Sequence, residues 1–108
     1  MTISDKLYIG PSLKRREQRV LKKIAQGKPA LCLYVITNAW NSKDLFDVYY
    51  YNELFQRFYQ VYRDLTIYGV AKTKWEAYEL IERMVNDCVA KQNDLDLRRF
   101  LQMQQEDI

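Results

Sequence analysis

The chain has 108 residues, a mass of 13.0 kDa and a net charge of +3, and 48% of its residues are hydrophobic. This size and composition fit one globular domain over 1–108 and exclude a disordered chain, and we expect frayed ends at about 1–10 and 105–108. The longest apolar run, 30–36, is far shorter than the roughly 20 residues that span a bilayer, and no targeting signal is recognisable, so we expect a cytoplasmic protein without membrane association.

The first predicted element is an amphipathic helix over about 13–26. Ser12 is the expected N-cap, and Gly27 with the proline that follows it should end the helix. A helical wheel separates an apolar stripe, which includes Val20 and Ile24, from positive charge on the opposite side. We call this charged surface the basic arc and define it as Arg15, Arg16, Arg19, Lys22 and Lys23.

Two strands and a short helix should follow the first helix. The run 31–38 is almost wholly apolar, which predicts a central strand that is buried on both faces. The alternation over 45–51 predicts the second strand of a hairpin. Asn52 should cap a short helix that extends through about residue 62.

A third strand and two helices complete the predicted chain. Alternation over 64–71 predicts the strand, and the capping box formed by Thr73 and Glu76 should open a helix through about residue 90. A final short helix is expected over 94–104.

The element order α-β-β-α-β-α-α predicts an α+β fold with a three-stranded sheet, mixed or antiparallel, packed with helices. A right-handed crossover through the second helix would make the second and third strands parallel. The apolar first strand then fits between them, which gives the sheet order 2-1-3.

The sequence lacks histidine and the motifs of most enzymatic and metal chemistry. There is no histidine, which removes the commonest general base and the commonest metal ligand. Cys32 and Cys88 are too far apart for a zinc or redox motif and fall on predicted apolar faces, so we interpret both as core residues. The remaining candidate acids, Asp47, Glu53 and Asp64, each have an ordinary structural role. We therefore predict no cofactor and no metal, and the sequence leans against an enzyme.

The basic arc is the first feature that suggests a partner. Residues 1–28 contain eight Lys or Arg and two acids, a net charge of +6, whereas residues 29–108 contain nine and twelve, a net charge of −3. Such an arc could lie along the phosphates of a nucleic acid. The alternative is an ordinary solvated helix face, because no aromatic residues that could stack on bases alternate with these cations.

The second feature is an aromatic segment, which we define as Tyr49, Tyr51, Phe55, Tyr59 and Tyr62. Alternation along the predicted strand places Tyr49 and Tyr51 on one face and Tyr50 on the other. If this strand lies at the edge of the sheet, its unpaired backbone groups could join a second copy of the chain. The alternative is that helices cover both faces and the rings belong to the core.

Three functional hypotheses follow. The leading one is a non-enzymatic protein-interaction or regulatory module that binds a protein partner or itself, as a homodimer, through the aromatic segment. The second is a nucleic-acid-binding accessory protein that uses the basic arc. The third is a small-ligand binder or enzyme with a tyrosine-lined pocket, which requires a concave site with convergent polar groups.

Overall fold

The structure, a computed structural model, describes residues 2–30, 32–38, 46–57 and 65–92. These residues form one mixed four-stranded sheet with the strand order β1-β4-β2-β3. The strands are β1 (Thr2–Ile9), β2 (Tyr34–Asn38), β3 (Phe46–Tyr50) and β4 (Thr66–Ala71). β1 runs parallel to β4, and β2 runs antiparallel to both β4 and β3.

The helices lie between and after these strands. A 3₁₀ helix (Pro11–Arg16) leads directly into α1 (Glu17–Ala25), α2 (Tyr51–Arg57) follows β3, and α3 (Lys74–Gln92) follows β4. None of the helices in the described part of the chain is long and apolar enough to cross a membrane.

The α+β class is as predicted, but the three-stranded sheet and the helix-first element order are wrong. The missing strand is β1, which we expected to be a frayed end. Ile3 lies opposite Ile67 and Tyr8 lies opposite Gly69. Between these two pairs the chain advances by five residues in β1 but by only two in β4, so β1 contains three extra residues. These three extra residues break the alternation of apolar and polar positions that identifies a strand.

The two faces of the sheet carry separate hydrophobic clusters. On one face, Val20 and Ile24 of α1 and Leu54 of α2 are buried together with strand residues such as Val35 and Ile67. On the other face, α3 covers the sheet with a stripe of buried side chains that pack against Ile36 and Ala71, namely Ala77, Leu80 and Met84. Since neighbouring residues of β2 enter opposite clusters, this strand is buried on both faces, and it lies between β3 and β4.

The start of the first helix differs from the prediction. Gly10 precedes a full 3₁₀ turn, and the α-helix begins only at Glu17. Ser12 does not cap it, because its hydroxyl donates instead to the carboxylate of Glu76 on α3. The end agrees with the sequence, since Gly27 has a φ of 66°, the left-handed conformation that glycine adopts without strain after a helix.

Two other predicted caps have different outcomes. Thr73 Oγ1 accepts a hydrogen bond from the backbone N–H of Glu76 at 3.1 Å, which confirms Thr73 as the cap of α3. The other half of the predicted capping box is replaced, because the Glu76 carboxylate accepts from Ser12 and from the Lys72 N–H. Asn52 instead lies inside α2, and its side-chain oxygen accepts from the backbone N–H of Ala30 at 2.9 Å. The rest of the predicted second helix, 58–62, and the predicted final helix, 94–104, lie outside the described residues.

Candidate nucleic-acid interface

The fold presents the basic arc on the outside of the 3₁₀ helix and α1. Val20 and Ile24 are buried against the sheet, so the opposite side of this amphipathic segment faces solvent. Four members of the arc are exposed and the fifth, Lys23, is half-buried. The charges therefore lie on the side of the helix that the helical wheel predicts.

Among the described residues, ion pairs do not neutralise the charges of the arc. Within the part of the chain that the structure describes, no acidic side chain forms an ion pair with any of the five cations. Glu17 is the one acid within this segment, and it is half-buried. An uncompensated row of exposed cations creates a positive potential that attracts polyanions.

A groove runs along the side of the same helix. It has a volume of about 690 Å³ and is lined by Ile3 of β1 and by five helix residues, namely Gln18, Arg19, Leu21, Lys22 and Ala25. Two members of the basic arc therefore border a concave surface that also contains aliphatic side chains. Such a groove can hold the phosphate backbone of a nucleic acid beside its aliphatic side chains.

Glu76 connects the beginning of this basic segment to the first turn of α3. Its Oε2 accepts hydrogen bonds from Ser12 Oγ at 2.5 Å and from the Ser12 backbone N–H at 3.3 Å, and its Oε1 accepts from the Lys72 N–H at 2.9 Å. Gly10 leaves the space for this carboxylate, because a Cβ there would lie 2.0 Å from Oε1. The geometry fixes the 3₁₀ helix beside the N-terminus of α3.

Opposing effects act on the pKa of Glu76. Burial raises the pKa of its carboxyl, but the hydrogen bonds from Ser12 and Lys72, together with the charge of Lys72, outweigh burial and lower the pKa below 4.5. The side chain is only 9% exposed, so this carboxylate serves to hold two segments together rather than to face a ligand.

An exposed aromatic pair next to Glu76 was missed by the sequence analysis. Trp75 is 78% exposed and Tyr78 is 43% exposed, and their ring centroids lie 6.0 Å apart in an edge-to-face arrangement. The Nζ atom of Lys74 lies 6.0 Å from the centre of the Tyr78 ring. A helical wheel could have revealed both rings, since each falls outside the apolar stripe of α3.

The two members of the aromatic segment that the structure describes, Tyr49 and Tyr51, do not form an exposed surface. Tyr51 is fully buried in the core that includes α1 and α2, and Tyr49 is half-buried and packs against the same core. Burial and the adjacent carboxylate of Asp47, which accepts a hydrogen bond from the Tyr49 hydroxyl, raise the pKa of Tyr49 to about 12. The Phe55 side chain, Tyr59 and Tyr62 lie outside the described residues.

A second groove lies between β1 and α3 and has a volume of about 610 Å³. The Tyr8 hydroxyl donates a hydrogen bond to Asp87 at 2.5 Å, and the guanidinium of Arg83 lies 5.8 Å from the centre of the Tyr8 ring. Its charged lining consists of three bases and three acids, namely Lys6, Lys14, Arg83, Asp5, Glu17 and Asp87. The balance of charge gives this groove no preference for anions.

The other candidate residues do not form a chemical site. Cys88 is buried, as predicted, but Cys32 is exposed and has a φ of 51°, so its assignment to the core was wrong. Asp47 is engaged with Tyr49, and Glu53 is an exposed residue in the first turn of α2. Asp64 lies outside the described residues. Among the described residues there is no group of three metal-ligating side chains.

Comparisons with protein-family models, with curated proteins and with solved structures give no match for this chain. Function must therefore be argued from the surface chemistry alone.

Proposed function

We propose that the chain is a non-enzymatic nucleic-acid-binding protein that contacts phosphates through the basic arc. The observation that carries this proposal is the row of four exposed cations and one half-buried cation on the 3₁₀ helix and α1, none of which forms an ion pair with an acid in the described part of the chain. Arg15, Arg16 and Arg19 belong to this row, and arginine can bind phosphate in a bidentate manner.

The affinity of such a surface for nucleic acid should depend on the salt concentration. Cations that neutralise phosphates release condensed counterions, so affinity falls as salt rises. If all five members of the basic arc contact phosphates, the logarithm of the association constant should fall with the logarithm of the salt concentration with a slope of about −4.5 for a duplex and about −3.5 for a single strand. A solvated helix face without a partner would give no measurable binding.

Two charge-reversal variants test this proposal. Anisotropy of labelled DNA and RNA would be measured with the wild-type chain, with R15E/R19E and with R83E/K91E. The last variant changes the net charge equally, and its two exposed sites lie on α3, outside the basic arc. We expect R15E/R19E to abolish binding and R83E/K91E to retain most of it. An equal loss of affinity in both variants would show that the basic arc acts only through the net charge of the protein.

A homodimer through the sheet edge is the second candidate. β3 is an outer strand of the described sheet and all five of its residues are half-buried, and Tyr50 pairs with Tyr34 at a ring separation of 5.2 Å. Light scattering at high micromolar concentration would test self-association. A dimer that Tyr50→Lys dissociates would support it, and a monomer would exclude it. Tyr51 is unsuitable for this test because its substitution would damage the core.

A further inference from the structure

The N-terminal end of α3 presents two aromatic side chains to solvent. Ala77, Leu80 and Met84 are buried against the sheet, so Trp75 and Tyr78 fall on the outer side of the helix. Tryptophan is a large apolar group, and leaving one mostly exposed does little for folding. A flat ring that is open to solvent is available to stack on another flat ring.

The position of this pair relative to the basic arc is fixed by Glu76. Trp75 immediately precedes Glu76, and the carboxylate of Glu76 holds both the backbone and the hydroxyl of Ser12. Ser12 is the second residue of the 3₁₀ helix, which also contains Arg15 and Arg16. The carboxylate of Glu76 thus joins the first turn of α3, where Trp75 lies, to the 3₁₀ helix that contains the first cations of the arc, although about 60 residues separate the two segments in sequence.

The exposed charges change sign along α3 beside Trp75. Lys72 and Lys74 are both exposed just before Trp75, whereas Glu79 and Glu82 are exposed in the following turns, where two exposed bases partly offset the acids. A phosphate backbone would therefore be attracted more strongly to the start of α3 than to the rest of this helix.

We propose that Trp75 is a base-stacking residue and that the preferred ligand is single-stranded nucleic acid, whose bases are free to stack. This inference rests on the proposed function, because the basic arc supplies the phosphate contacts. Stacking of a base on an aromatic ring combined with a cationic groove is how proteins bind single strands without reading sequence. In a duplex the bases are already stacked on each other, so Trp75 should contribute little to duplex binding.

The test compares single-stranded and duplex ligands. A labelled oligothymidylate of roughly 20 nucleotides and a duplex of equal length would be titrated with wild-type, Trp75→Ala and Trp75→Phe proteins. Val89→Ala is the matched control, because Val89 is an exposed apolar residue near the other end of α3. We expect Trp75→Ala to weaken single-strand binding at least about fivefold, Trp75→Phe to restore part of the loss, and the control to match the wild type.

A second readout reports stacking directly. The chain has two tryptophans, so a Trp40→Phe variant leaves Trp75 as the only one, and its fluorescence should be quenched when the oligothymidylate binds. Single-strand binding without quenching, and unchanged in Trp75→Ala, would overturn the stacking role. If single-strand binding still required Arg15 and Arg19, the proposed function would be supported although Trp75 does not stack on a base. Absence of any binding by the wild type would overturn both.

Discussion

Replacing Glu76 with Gln should destabilise the fold because this carboxylate joins two segments that are distant in sequence. Its two oxygens accept three hydrogen bonds, from Ser12 Oγ, Ser12 N–H and Lys72 N–H. In Gln one of these oxygens becomes an NH₂ group that faces a donor, and the charge that strengthens the remaining bonds is lost. A hydrogen bond to a charged group contributes about 1.5–3 kcal/mol, so we expect a loss of about 2 kcal/mol in the free energy of unfolding.

Urea unfolding followed by circular dichroism would measure this loss. Glu79→Gln is the control, because Glu79 lies one turn along the same helix and is exposed, so its change should stay within about 0.5 kcal/mol. For a domain of this size the loss at Glu76 corresponds to a melting temperature lower by about 10 °C. Equal stability of the two variants would refute the proposed role of the carboxylate.

The pH dependence gives an independent check on the same group. The pKa of Glu76 is lower in the folded chain than its usual 4.5. Its contribution to stability is therefore complete above pH 4.5 and is lost as the pH falls through the folded pKa. The difference between the wild type and Glu76→Gln should be constant near neutrality and should narrow below pH 4.5.

Three further predictions follow from the described contacts. Gly10→Ala should lower the free energy of unfolding by about 1–3 kcal/mol in the wild type, because the new Cβ would clash with the Glu76 carboxylate, and by much less in a Glu76→Ala background. Additive losses in a double-mutant cycle would contradict this contact. In an ultraviolet titration Tyr49 should ionise only near pH 12, and its contribution to stability, complete below pH 10, should disappear as the pH rises toward 12; a titration unchanged in Tyr49→Phe would show that another residue is responsible. A thiol reagent should modify Cys32 quickly in the folded chain and Cys88 only after denaturation, and rapid modification of both would contradict the burial of Cys88.

Local sequence signals predicted the elements that bury their apolar residues in a regular period. Phe46 and Val48 enter one cluster and Tyr49 the other, as the alternation predicts. The strand predicted over 31–38 is buried on both faces as expected, but it begins only at Tyr34, because Cys32 lies in a turn with a positive φ. The Thr73 cap and the left-handed Gly27 also follow directly from residue type. These features depend on interactions within a few residues, which a single sequence contains.

The features that sequence analysis missed depend on contacts between distant segments. β1 forms because β4 pairs with it across an irregular register, and nothing within Thr2–Ile9 reveals this pairing. Ser12 was expected to cap its own helix, but the structure offers its hydroxyl a carboxylate on α3. The same long-range contact joins the 3₁₀ helix to the first turn of α3, where Trp75 lies, and a helical wheel of the first helix alone does not show this connection.

One titration can test whether the basic arc binds nucleic acid in a salt-dependent manner. Anisotropy of a labelled single-stranded oligonucleotide would be measured with wild type and R15E/R19E at several salt concentrations between about 50 and 200 mM. We expect wild-type affinity to fall steeply, with a slope of about −3.5, and the variant to show no binding. Wild-type binding that is insensitive to salt, or equal in the variant, would contradict the proposed function.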